Sequence, residues 1–107
     1  MADQLTVDVI DEPEHRRYTV TVDGRPAGRV DYRLLGSRLV VLHTEVDDEY
    51  TGRGVASRVV SVVLADIRRR GLTLTPACPF FVSFLRNHPD QQDLVDAEFP
   101  GGFTLSR

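Results

Sequence analysis

Apolar and polar residues alternate through the first half of the chain, and the apolar ones fall at helical spacing through much of the second. Leu5 to Ile10 sets Leu5, Val7 and Val9 against Thr6 and Asp8, the period-two signature of a strand. Asp11-Glu12-Pro13-Glu14 reads as a turn. Arg17 to Val22 alternates again, with Tyr18, Val20 and Val22 on one side, and Asp23-Gly24 is a short hairpin signal. The returning strand runs from Arg25 to Leu34, with Ala27, Arg29 and Asp31 against Gly28, Val30 and Tyr32. Gly36-Ser37 makes the next turn and Arg38 to Val46 a further strand. From Leu39 to Leu42 that strand is apolar at every position, as expected of a central strand covered on both faces. The first half is therefore an antiparallel meander.

The period then changes. From Gly54, apolar residues at Val55, Val59, Val62, Val63 and Ile67 mark one helix face, widened by Val60 and Leu64. Arg68-Arg69-Arg70 followed by Gly71 suits a helix C-terminus, where cations complement the dipole and glycine takes the left-handed cap. Leu72 to Thr75 is a short strand. Strand, helix and strand at this spacing imply a crossover and a parallel or near-parallel pair. Pro79 opens a second helix through Asn87, with Cys78 beside its cap, and Pro89 ends it. The stretch Asp96 to Arg107 reads as an edge strand or a disordered tail. The expected fold is a single α/β (α+β) domain over residues 1–107: a meander followed by a strand-helix-strand-helix unit.

Composition narrows the function. The length of 107 residues supports one core, not two. A net charge of −3 argues against a dominant nucleic-acid surface. No apolar run approaches the ~20 residues that span a bilayer, and the N-terminus lacks the regions of a signal peptide. The lone Cys78 cannot form an intramolecular disulfide, so a cytoplasmic protein without nucleic-acid or membrane partners, monomeric or weakly dimeric, is expected. His15, His43, His88 and Cys78 show no metal-ligand spacing, and no metal is expected. The Gly-x-Ser-x-Gly elbow of serine hydrolases is absent. All 13 basic residues are arginine. Coding bias accounts for that, as does an enzyme acting on amines that avoids modifying itself; the sequence leaves both open.

The turn Thr51-Gly52-Arg53-Gly54-Val55-Ala56 carries the most chemistry. It joins a strand to a helix, and a glycine-rich turn there presents backbone N–H groups at the positive end of the helix, an arrangement that binds phosphate. The third glycine of the dinucleotide fingerprint is missing, and so is the Gly-Lys-Ser/Thr of the ATP-binding loop.

With the meander before it and a helix and strand after it, this turn resembles the pyrophosphate-binding motif of the GNAT acetyltransferase superfamily, Arg/Gln-x-x-Gly-x-Gly/Ala. Gly54 matches the central glycine and Ala56 the final small residue; Thr51 stands where arginine or glutamine is usual. His43-Thr44-Glu45-Val46, Ala77-Cys78-Pro79-Phe80 and Arg86-Asn87-His88-Pro89, in that order, are similar to the small single-domain YjdJ-like branch. Asp47-Asp48 replaces the proline pair common there. The resemblance covers roughly residues 25 to 95 and implies a minimal GNAT-like fold.

The resemblance also implies acetyl-CoA as cosubstrate, its pantetheine arm entering between two splayed strands. Thr44 and Val46 on the first strand, Thr51, Gly52, Arg53, Gly54, Val55, Ala56 and Ser57 at the turn, and Asn87 past the second helix are the implied cofactor residues. Arg53 and Arg58 are candidate phosphate partners or plain solvated helix residues. Cys78, at a helix N-terminus where thiolates are favoured, is a candidate acetyl acceptor, a candidate acid for the departing CoA thiolate, or a small core residue. His43 and Glu45 alternate onto one side of their strand, and either is a candidate base for an attacking amine; each is also an ordinary strand-end residue. Phe80, Phe81 and Phe84 read as core or as walls of an acyl pocket. The expected activity is transfer of acetyl to a primary amine, on a small molecule or on a protein or peptide lysine. The alternative is a CoA-binding interaction or sensor module without catalysis.

Overall fold

In the computed structural model, which describes residues 5–96, five strands form one sheet in the order β1-β2-β3-β4-β5. They are β1 (Val7–Glu12), β2 (Arg17–Val22), β3 (Arg25–Leu35), β4 (Arg38–Val46) and β5 (Thr73–Pro76). The helices are α1 (Val55–Arg69) and α2 (Pro79–Arg86), and a 3-10 helix follows over Pro89–Leu94. The first four strands pair antiparallel, and β5 pairs parallel to β4, as the crossover requires. The mixed α/β class and the meander are as the hydrophobic periods predict.

Local chemistry sets the boundaries. Asp23 and Gly24 both take positive φ, 51° and 83°, the backbone of a two-residue hairpin whose twist matches the flanking strands. β1 extends past the expected turn because Asp11 and Glu12 pair with Tyr18 and Arg17; Pro13, with no N–H, ends the ladder. At the far end of α1, Gly71 N–H donates to the Arg68 carbonyl and Leu72 N–H to the Ile67 carbonyl, both at 3.1 Å, which closes the helix. Those bonds use Leu72, so β5 begins one residue later than expected. Asn87 caps α2 rather than continuing it, and Pro89 opens the 3-10 helix, which returns Leu94 to the core. Val95 then bridges Leu74. Residues 97–107 of the expected tail lie outside the described residues.

Two bulges correct the simple alternation. Between Pro26 and Gly28, Ala27 is an extra residue opposite Thr21 and Val20, so Ala27 joins Val30 and Tyr32 facing inward. On β4, Leu42 is an extra residue between Val41, opposite Tyr32, and His43, opposite Asp31. The inward phase therefore changes from Leu39 and Val41 to Thr44 and Val46. The expectation of a strand apolar on both faces fails here: Leu42 is 46% exposed and Val40 half-buried.

One core forms between the sheet and the helices, from β2–β5, Tyr50, the buried stripe Val55, Val59, Val60, Val63, Leu64 and Ile67 of α1, and Phe81 and Leu85 of α2. The opposite face of the sheet carries Arg29 and Asp31 with their cross-strand partners Glu45 and His43. Gly28 lies where β3 and β4 approach closest: a Cβ there would sit 2.0 Å from the Glu45 carbonyl oxygen.

The C-terminal end of α1 is tied to the sheet by polar bonds. Tyr18 donates to Asp66 at 2.8 Å and Tyr32 to Asp11 at 2.5 Å, and Arg70 reaches Asp11 at 3.2 Å and Asp66 at 3.1 Å. Burial first, and the neighbouring carboxylates second, push both phenols above their ordinary range. Burial alone would raise Asp66, but the bonds from Tyr18, Arg69 and Arg70 outweigh it and hold this carboxyl below the usual range.

Four outcomes follow from these features. Gly28→Ala should cost about 3 kcal/mol by backbone displacement, while Gly36→Ala, with open space beside it but a φ of +62°, should cost about 1 kcal/mol; urea denaturation reads both. A phenol raised on folding adds stability that is full below pH ~10 and falls as pH rises beyond it. Asp66, lowered on folding, adds stability above pH ~4 that is lost as pH falls. Tyrosinate absorbance should therefore show Tyr18 and Tyr32 ionising only with alkaline unfolding, and Asp66→Asn should flatten the acid limb of stability.

Candidate active site

The groove starts where β4 and β5 part. Their pairing runs from Arg38–Thr73 to Val41–Pro76, and a last bond joins Ala77 N–H to the Val41 carbonyl at 2.9 Å. Beyond it β4 continues to Val46, while the chain after Ala77 turns away into α2. Cys78 is the N-cap of α2: its carbonyl accepts the Phe81 and Val82 N–H groups at 3.1 Å. On the core side of the parting strands, the Cys78 thiol donates to the Thr44 hydroxyl at 3.2 Å; the two residues are 2% and 5% exposed.

After β4, a 3-10 turn at Asp48–Tyr50 buries Tyr50 and leads into Thr51–Gly54. Gly52 and Gly54 take φ of +78° and +80°, a conformation glycine adopts without a Cβ penalty. Gly54 is the N-cap of α1 and brings no side chain to satisfy the first helical amides. Among the described residues, the N–H groups of Gly52, Gly54, Val55, Ala56 and Ser57 donate to no protein acceptor. They gather at the positive end of a 15-residue helix, which favours an anion.

A groove of about 330 Å³ opens at these amides, walled by Val46, Tyr50, Thr51, Gly52, Gly54, Val55, Ala56, Ser57 and Phe80. At Ala56, Ser57 and Phe80 it adjoins a second cleft of about 170 Å³, also lined by Phe84, Asn87 and His88. Of the residues expected at the cofactor, the structure thus gathers Val46, Thr51, Gly52, Gly54, Val55, Ala56, Ser57 and Asn87 along one channel. Thr44 is turned into the core against Cys78. Arg53 and Arg58 face the other side of the glycine turn, in a cleft with Leu5 and Asp8. Asp47 and Asp48 are exposed and line neither part of the channel.

The three catalytic candidates separate. His43 and Glu45 lie on the open face of the sheet, where Glu45 accepts from Arg29, whose pKa is raised by its bonds to Asp31 and Glu45. Cys78 lies on the helix side. Phe81 is core, as expected, but Phe80 is 44% exposed and walls the channel. The aromatic stripe Phe80, Phe84 and His88 along this channel was missed in the sequence as a unit, although its four-residue spacing is a readable signal.

The comparisons with known proteins agree with this geometry. The sequence profile of GCN5-related N-acetyltransferases matches residues 17–94. The chain belongs to the GCN5-related N-acetyltransferase family. Protein NATD1 of Bos taurus is 32% identical over 81 residues, covering 74% of this chain and 72% of that protein. Protein NATD1 of Gallus gallus is 29% identical over 90 residues, covering 82% of each. In structure, a GCN5-like protein from Staphylococcus aureus, solved by NMR, superposes with a TM-score of 0.64 at 20% identity, covering 83% of this chain and 87% of that one. Acetyltransferases of this family act on amine acceptors and generally use acetyl-CoA. This chain is an N-acetyltransferase of that family, with the family's mixed α/β fold.

The burial of Cys78 gives a direct test. Ellman's reagent should leave the native protein essentially unmodified and should titrate one thiol per chain in urea. Cys78→Ala should cost about 1 kcal/mol, from the lost bond to Thr44 and the smaller side chain.

Proposed function

We propose that the protein binds acetyl-CoA along this channel and transfers the acetyl group directly to a primary amine that approaches from the open face of the sheet. The observation that carries the reading is the set of unsatisfied amides of Gly52 and of Gly54 to Ser57 at the groove, among the described residues. They supply donors for a pyrophosphate with no side chain needed. From there Val46 leads along β4, whose edge has no strand beside it after Val41 among the described residues, so extended amide-bearing ligand can pair with the strand. The same exposed backbone can polarise a thioester carbonyl as charge develops on its oxygen.

His43 is the residue best placed to take the amine's proton. It is exposed on the face from which the acceptor comes, across the strand from Asp31. Glu45 is held by Arg29 and orders that face electrostatically. Cys78 is buried with its thiol bonded to Thr44, which fits a proton donor or a packing residue better than a nucleophile meeting acetyl-CoA. No helix covers the open face among the described residues. That suits an amine carried on a protein or peptide, such as a lysine, since such an acceptor brings its own bulk to exclude water.

A second reading is favoured by one observation: among the described residues no cationic side chain lines the groove, and Thr51 occupies the position where the family motif has arginine or glutamine. A protein that binds CoA without transferring acetyl would have the same geometry.

The test combines binding with turnover. Calorimetry should show CoA and acetyl-CoA binding, and mass spectrometry across a panel of amines and lysine peptides should show acetylated product. Ala56→Glu places a carboxylate beside the amides; it should leave the melting temperature nearly unchanged, since a negative charge suits a helix N-terminus, yet weaken CoA about 100-fold. Cys78→Ala should keep turnover within a few-fold, and His43→Ala should lower kcat by about 100-fold. Binding without transfer to any acceptor would select the second reading, and no binding of either ligand would refute both.

A further inference from the structure

We propose that Phe84 and His88 form a flat seat for the adenine ring of CoA; the proposal rests on the reading that the groove at Gly52–Ser57 takes the pyrophosphate. The two rings stack with centroids 3.8 Å apart and planes 4° from parallel. The His88 ring is fixed in that pose by a second contact: Nδ1 lies 2.7 Å from the Phe84 carbonyl oxygen. A carbonyl only accepts, so Nδ1 carries the proton and the ring cannot turn without losing the bond. His88 is exposed, and its ring extends the aromatic surface of Phe84 toward solvent.

The position of this stack points to its ligand. The 170 Å³ cleft it lines shares Ala56, Ser57 and Phe80 with the phosphate groove, so the two adjoin along these residues. Val46 lines only the groove and His88 only the adjoining cleft, and Ala56 and Ser57, whose amides are free, line both. CoA has the same order of parts: a pantetheine arm, a pyrophosphate, then adenosine. With pantetheine toward β4, adenosine leaves the amides toward α2 and meets Phe84 and His88. A purine is planar, and stacking on aromatic side chains holds it without a specific hydrogen-bond code.

Calorimetry with CoA and 4′-phosphopantetheine, which lacks the nucleotide, separates this seat from the rest of the site. The wild-type protein should bind CoA at least tenfold more tightly than 4′-phosphopantetheine. His88→Ala should weaken CoA about tenfold and leave 4′-phosphopantetheine unchanged, and His88→Phe should restore most of the loss. The chain has no tryptophan, so His88→Trp introduces a single indole reporter. CoA should quench it, and 4′-phosphopantetheine should not. Equal weakening of both ligands by His88→Ala, or CoA binding untouched by it, would overturn the adenine seat and leave the CoA site standing. A wild-type protein that binds neither ligand would overturn the CoA site and the seat with it.

Discussion

The site depends on the loss of one ladder between two strands. β4 and β5 are held together only as far as the bond from Ala77 N–H to the Val41 carbonyl. Two local features coincide with the end of the pairing. The chain after Ala77 turns away into α2, and Leu42 adds a residue that shifts β4 out of phase. The parting strands leave an edge of β4 that no described strand covers. An unpaired edge is ordinarily a hazard for aggregation. Here its end, Val46, lines the groove close to the start of α1, where a bound ligand would satisfy it without another copy of the protein.

The same parting decides what lies on each side. On the core side, Thr44 and Cys78 close the gap with a buried hydrogen bond between two small side chains. On the other, the change of phase at Leu42 turns His43 and Glu45 to the open face, beside Arg29 and Asp31. A strand without the extra residue would exchange these sets, because a shift of one position moves every side chain to the opposite face. The bulge thus separates a dry wall from a polar surface within a few residues of one strand.

Much of this architecture was legible in the sequence. The alternation of Tyr18, Val20 and Val22, the Asp23-Gly24 hairpin, the valine stripe of α1 and the Arg70-Gly71 end each state a local preference that the tertiary structure keeps. The glycine turn was legible too, because positive φ at Gly52 and Gly54 is a property of those residues themselves. The bulges at Ala27 and Leu42 were not, since an extra residue in a run of β-compatible side chains leaves no compositional mark. The facing of Phe80 against Phe81 needs the phase of a short helix to be known. The facing of Arg53 depends on left-handed glycines on either side of it, which redirect the chain in a way that periodicity does not describe. The 3-10 helix from Pro89 is carried by the burial of Leu94, a contact distant from the residues that form the turn.

The two ends of α1 are held in different ways. Its C-terminal end is fastened by Tyr18, Asp66, Arg70 and Asp11 and sealed by the Gly71 cap. Its N-terminal end has apolar packing from Val55 and Val59 but, among the described residues, no capping side chain and no acceptor for its first amides. Mechanically the helix is a cantilever, clamped at one end and completed at the other by whatever anion it receives. A ligand bound there, as proposed, would stiffen the helix toward the site and make the loaded state the more ordered one.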